Sequence, residues 1–145
     1  MNQIRPNVFL GNSSDAREVG QGKTEGRWTI FNLAHDLSIP VVNNQRVTYV
    51  QVGLVDGPCE QDEQVLEAVN RLLDEVVRAT TGQGKLLVHC HQGRSRSPTI
   101  LALVLGKLES KSYDDLLAEF KTHRAIVAPE PALLALGRKF DSSIK

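Results

Sequence analysis

Cysteine is scarce in this chain: 145 residues hold only Cys59 and Cys90. Two thiols cannot build the disulfide framework of a small secreted domain, and unpaired thiols suit a reducing compartment, so a cytoplasmic setting is expected. Charge of one sign is also lacking. Seventeen basic residues face seventeen acidic ones, which argues against bulk binding to nucleic acid or to an anionic membrane. No apolar run approaches the ~20 residues of a membrane span. Residues 1–11 show no signal-peptide core. No internal repeat is present. The chain is long enough for one domain with its own core, so residues 1–145 are expected to form a single unit and to act as a monomer.

What is present alternates between short apolar runs and helical periodicity. Runs at 8–10, 29–33, 47–52 and 86–89 read as strands. Val65, Val69, Leu72, Leu73 and Val76 recur on one helical face, which predicts a helix over 62–78 with Asp62 as N-cap and Gly82 as a nearby stop. Three more helices are expected over 99–108, 112–122 and 131–140. The first is apolar nearly all round and should be buried. The second opens on a Ser-x-x-Asp capping signal at Ser112. Residues 20–27 are polar, contain three glycines and read as a mobile loop. The fold class is α/β.

The most informative stretch is Val88-His89-Cys90-His91-Gln92-Gly93-Arg94-Ser95-Arg96-Ser97-Pro98. An apolar strand delivers a cysteine, a short loop follows, and Ser97-Pro98 reads as a helix start with Ser as cap and Pro as first helical residue. The loop of His91, Gln92, Gly93, Arg94, Ser95 and Arg96 therefore lies at a helix N-terminus, where unpartnered amides and the helix dipole favour an anion. The same field lowers a thiol pKa. Arg96 adds a planar fork that can hold two phosphate oxygens, which lysine cannot. Gly93 permits a tight turn around the ligand. A cysteine at a strand end is ordinarily a small buried hydrophobe. The loop, the arginine and the helix signal after Cys90 favour a phosphate cradle with a nucleophile at its floor.

His89-Cys90-x-x-Gly93-x-x-Arg96-Ser97 resembles the signature of cysteine-dependent protein phosphatases, and the longer run from Val88 to Pro98 resembles their dual-specificity subgroup. Ile4-Arg5-Pro6-Asn7-Val8-Phe9-Leu10-Gly11-Asn12 looks like that subgroup's first strand, and Ile30-Phe31-Asn32-Leu33 like its second. Tyr49, followed seven residues later by Asp56, resembles the segment carrying a general acid. The resemblance implies a central mixed, mainly parallel sheet of about four to five strands flanked by helices, the protein tyrosine phosphatase-like fold. It implies Cys90 as nucleophile, Arg96 and the 91–96 backbone as phosphoryl binders, and Asp56 as acid and then base. Ser97 would ease breakdown of the intermediate, and His89 would orient the loop. It implies no metal and no cofactor, because the cradle neutralises the dianion. The implied substrate is a phosphorylated protein, with phosphotyrosine and phosphoserine or phosphothreonine admitted by a shallow cleft.

Several alternatives stay open. Asp62 competes with Asp56 as acid, although capping is its better use; Asp36 is a remote third that would face substrate if it acts. Arg94 either meets a second acidic group on the substrate or is simply solvated. The loop has no lysine, unlike phosphoinositide-directed relatives. Cys59, three residues past Asp56, is either a partnerless loop cysteine or a resolving thiol for Cys90. Pro129-Glu130-Pro131 replaces the family's usual Pro-Asn pair and should alter only a helix start. RNA 5′-phosphate, phosphoinositide or glycan phosphate are alternative substrates. A rhodanese-type sulfurtransferase and a non-catalytic phosphate-binding module are rival functions.

Overall fold

Five short strands form one mixed sheet in the order β1-β2-β5-β3-β4 in the computed structural model, which describes residues 1–141. They are β1 (Asn2–Arg5), β2 (Val8–Gly11), β3 (Trp28–Ala34), β4 (Val47–Leu54) and β5 (Lys85–His89). The helices are α1 (Ser13–Gly20), α2 (Asp62–Thr80), α3 (Arg96–Glu109), α4 (Tyr113–His123) and α5 (Pro131–Lys139). Strands β2, β5, β3 and β4 run parallel, and β1 adds an antiparallel edge. This is the expected α/β architecture at five strands.

Side chains alternate across the sheet and so feed two cores. Phe31 and Leu33 of β3 and Leu86 and Val88 of β5 enter the larger core, against α2, α3 and α4. Trp28, Ile30 and Leu87 face the smaller one, with Ala16 and Val19 of α1. The predicted α2 stripe is buried at Val65, Val69, Leu72 and Val76, with Leu73 only partly so. Helix α3 is buried continuously from Arg96 to Gly106, as its all-round apolarity requires.

Two local expectations are corrected. Helix α3 starts at Arg96 with Ser95 in the cap position, so Ser97 and Pro98 lie inside its first turn. Proline fits there because first-turn amides have no intrahelical acceptor. Asp62 is the first residue of α2 rather than its cap; Gln61 occupies the cap position, and Asp62 instead pairs with Lys139. Two elements, β1 and α1, escape the periodicity reading because four and eight residues carry too little pattern. Tertiary bonds hold β1: Arg5 Nε donates to Glu109 at 2.8 Å, and Arg5 also pairs with Glu119, joining β1 to α3 and α4. Ser112 caps α4 by accepting from the Asp115 amide at 3.1 Å, as its motif predicts.

All four parallel strands end at the same sheet edge. Cys90 follows β5, residues 35–37 follow β3, and residues 55–60 follow β4. The carboxyl edge of a parallel sheet is where crossover connections leave a crevice. This topology brings three distant stretches of sequence together.

Candidate active site

Cys90 sits at the floor of a cavity of about 320 Å³ lined by Asp36, Asp56, Cys90, His91, Gln92, Arg94, Ser95 and Arg96. Its side chain is 2% exposed, with Sγ 3.2 Å from the Ser97 hydroxyl. Burial pushes the thiol up. The Ser97 hydroxyl and amide, the Arg96 charge and the Gly93 amide outweigh that effect and hold Cys90 below its ordinary pKa.

The loop is a cradle because its carbonyls are tied away from the cavity. His91 O accepts from the Ser13 amide at 2.9 Å. Gln92 O and Gly93 O accept from Arg124 Nη2 and Nε at 2.6 and 3.0 Å. Arg94 O accepts from the Ala128 amide at 2.9 Å, and Ser95 O from the Thr99 amide at 3.2 Å. With successive carbonyls engaged outward, the loop's amides are left for an oxyanion. Gly93 has φ +66°, and a Cβ there would lie 2.4 Å from Gly11 O, so both conformation and space require glycine.

His89 is fully buried, and its Nδ1 lies 2.9 Å from Cys90 O. Burial lowers its pKa to about 4. The neutral ring donates from Nδ1 to that carbonyl, leaving Nε2 as a buried acceptor with no partner among the described residues. Arg96 is 4% exposed. Its Nη1 donates to Asp36 Oδ1 at 3.1 Å and to Leu54 O at 3.0 Å, while Nε has no protein partner. Two bonds thus fix the guanidinium and leave one edge for a ligand.

Asp56 lies on the exposed turn after β4 and reaches the cavity. Ser95 Oγ donates to Asp56 Oδ1 at 2.6 Å and accepts from the Glu130 amide at 2.9 Å. Gln61 braces the same turn, bonding both the amide and the carbonyl of Val55 at 2.9 Å. Asp62 is drawn away to Lys139 and does not line the cavity. Asp36 does line it, closer to Arg96 than its remote sequence position suggested. Desolvation, the largest single effect, pushes Asp36 up. Arg96, the Asp36 amide and the His91 charge hold it below the usual carboxylate range. Both thiols are free; Cys59 is exposed, with its Sγ 3.7 Å from the carbonyl of the next residue, Glu60.

Sequence reasoning missed Arg124, Ser13 and the Glu130 amide. No local spacing marks an arginine just past the end of α4 as a brace for residues 92 and 93. Pro131 opens α5, and the backbone amide of Glu130, which any residue but proline would supply, bonds Ser95 at the site. Arg124→Ala removes two charge-assisted bonds to the loop and is expected to weaken tungstate binding about tenfold. Calorimetric titration checks this, and wild-type affinity would remove Arg124 from that role.

The fold and loop define a class: an α/β domain with a buried thiol under a loop of outward-tied carbonyls at the carboxyl edge of a parallel sheet. The model of the dual specificity phosphatase catalytic domain matches residues 8–136, and the chain belongs to that family. It is 27% identical over 129 residues to dual specificity protein phosphatase 22-B of Danio rerio, covering 89% of this chain and 67% of that protein. It is 27% identical over 128 residues to human dual specificity protein phosphatase 15, covering 88% of this chain and 41% of that one. The chain thus spans 41% to 67% of the length of these two relatives. Among solved structures, human DUSP28 superposes with TM-score 0.79 at 22% identity, over 97% of this chain and 94% of that one. A DUSP15 crystal structure superposes with TM-score 0.77 at 27% identity, over 97% and 86%. No helix among the described residues is long and apolar enough to cross a membrane.

Proposed function

We propose that this chain hydrolyses phosphate monoesters on proteins, taking phosphotyrosine and phosphoserine or phosphothreonine, through a cysteinyl-phosphate intermediate. The observation that carries this reading is a buried thiol held below its ordinary pKa beneath a loop whose carbonyls are tied outward. Family membership supports it.

In the first step the Cys90 thiolate attacks phosphorus. The bond to the leaving oxygen breaks as Asp56 gives that oxygen its proton. Arg96 and the amides of residues 91–96 bind the three equatorial oxygens, where charge is spread in the transition state. In the second step Asp56, now a carboxylate, takes a proton from water as the water oxygen attacks phosphorus. The P–S bond breaks, and the Ser97 hydroxyl donates to the departing thiolate, a role its 3.2 Å contact supports. His89 keeps the Cys90 carbonyl turned from the cradle. Ser95 holds one oxygen of Asp56.

Asp56→Asn is expected to slow alkyl phosphates about 10²-fold or more, and nitrophenyl phosphate far less, because a good leaving group needs no proton. Equal losses on both substrates would take the acid role from Asp56. Residues 1–145 would act as one catalytic unit and as a monomer, in a reducing, cytoplasmic setting that keeps Cys90 reduced. A phosphate-release panel over phosphopeptides, phosphoinositides and RNA 5′-ends tests the substrate class. Release confined to the lipid or RNA arm would overturn the protein-directed reading.

A further inference from the structure

The two-step chemistry makes no direct use of the Asp36 carboxylate, although it stands at the rim of the cavity and is 50% exposed. Its segment is pinned in place. Asn32 Nδ2 donates to Leu37 O at 2.7 Å, and Gln51 Nε2 donates to Ala34 O and Leu37 O at 2.8 Å each. The His35 amide donates to Leu54 O at 3.2 Å. Asp36 therefore cannot withdraw from the rim without breaking bonds to β3 and β4. Its Oδ1 accepts from Arg96 and lies 3.1 Å from His91 Nε2. Oδ1 also lies 3.7 Å from His35 Nδ1, and the carboxylate accepts from its own backbone amide; half exposed, it still opens to the cavity and to a ligand there.

The charges lining the cavity balance. Arg94 and Arg96 face Asp36 and Asp56, with His91 the remaining titratable group besides Cys90. One phosphoryl group is served by the amides and the open edge of Arg96. A second phosphate beside it meets a fixed carboxylate instead of surplus cation. Polyanionic ligands need the opposite arrangement, a field of one sign across the whole cleft.

We propose that Asp36 selects for a lone phosphoryl group flanked by a basic side chain, rejecting a second anion and accepting a hydrogen bond from a substrate Lys or Arg. This rests on the phosphatase reading above and narrows it to phosphoprotein segments of basic context. A charge about 6 Å away across a partly solvated rim changes affinity by roughly three- to a hundredfold, and about tenfold suits a half-exposed group.

The test uses three phosphotyrosine peptides that differ only in having Arg, Ala or Glu at both flanks, together with a short-chain phosphatidylinositol bisphosphate. The wild type should rank them Arg, Ala, Glu, with an Arg-to-Glu ratio of about ten in kcat/KM, carried by KM. Asp36→Asn should bring that ratio toward one and improve the bisphosphate, and Asp36→Lys should reverse the order. A ratio that Asp36→Asn leaves intact overturns the inference, even if every rate falls together because Arg96 has loosened. So does a wild type that prefers the Glu peptide. The same ratio read as binding to Cys90→Ser, with and without Asp36→Asn, needs no turnover. An inactive wild type whose binding ratio shifts would sink only the phosphatase reading; an active wild type with an unmoved ratio would sink only this inference.

Discussion

Cys90→Ser is expected to lower aryl-phosphate turnover by about 10⁴-fold or more while tungstate binding changes only a few-fold. The two effects separate because the cradle and the nucleophile are different parts of the site. In the proposed mechanism binding would fall to the amides of residues 91–96 and to Arg96, whose positions depend on Ser13, Arg124, Ala128 and Leu54 rather than on sulfur. Attack needs an anion at the floor. A thiol held below its ordinary pKa by Ser97, Arg96 and Gly93 ionises more readily, whereas a serine hydroxyl in the same field stays protonated. Initial rates on nitrophenyl phosphate and a calorimetric titration check both halves. Retained turnover would eliminate the cysteinyl-phosphate mechanism, and lost binding would mean that Cys90 also shapes the cradle.

Arg96→Lys is expected to cost about 10³-fold in kcat/KM although it keeps the positive charge. The wild-type guanidinium spends Nη1 on Asp36 and Leu54 O, while its Nε, buried, has no protein partner and its side chain lines the cavity. An ammonium has a single nitrogen and cannot be held by two protein acceptors and still grip two phosphoryl oxygens in a plane. The loss should appear in kcat as well as KM, since the equatorial oxygens carry most charge in the transition state. A variant within tenfold of wild type would show that charge alone suffices and that the fork geometry is dispensable.

Much of the site is written along one stretch of chain. Cys90, the loop and Arg96 lie within seven residues. A strand ending before them and a helix starting after them suffice to bring them together, so local pattern finds them. The helix start itself is misread by two residues, because Ser97 and Pro98 satisfy the cap rules as well as Ser95 and Arg96 do. What decides is tertiary: the Ser97 hydroxyl is bound to Sγ, and the Ser95 hydroxyl to Asp56 and Glu130. Asp56 is reached from its turn-rich context and its spacing from Tyr49. Nothing local distinguishes Asp36 from any exposed aspartate.

The sequence by itself determined the strand, loop and helix that place Cys90 beneath an anion cradle, because those features depend on neighbours only a few residues apart. The tertiary structure decided which distant groups complete the site: Asp36 and Asp56 from the ends of β3 and β4, and Arg124 from beyond α4. The reason is topological. Parallel strands carry remote segments to one sheet edge, and the long crossovers between them leave no periodic trace of which side chains will meet there.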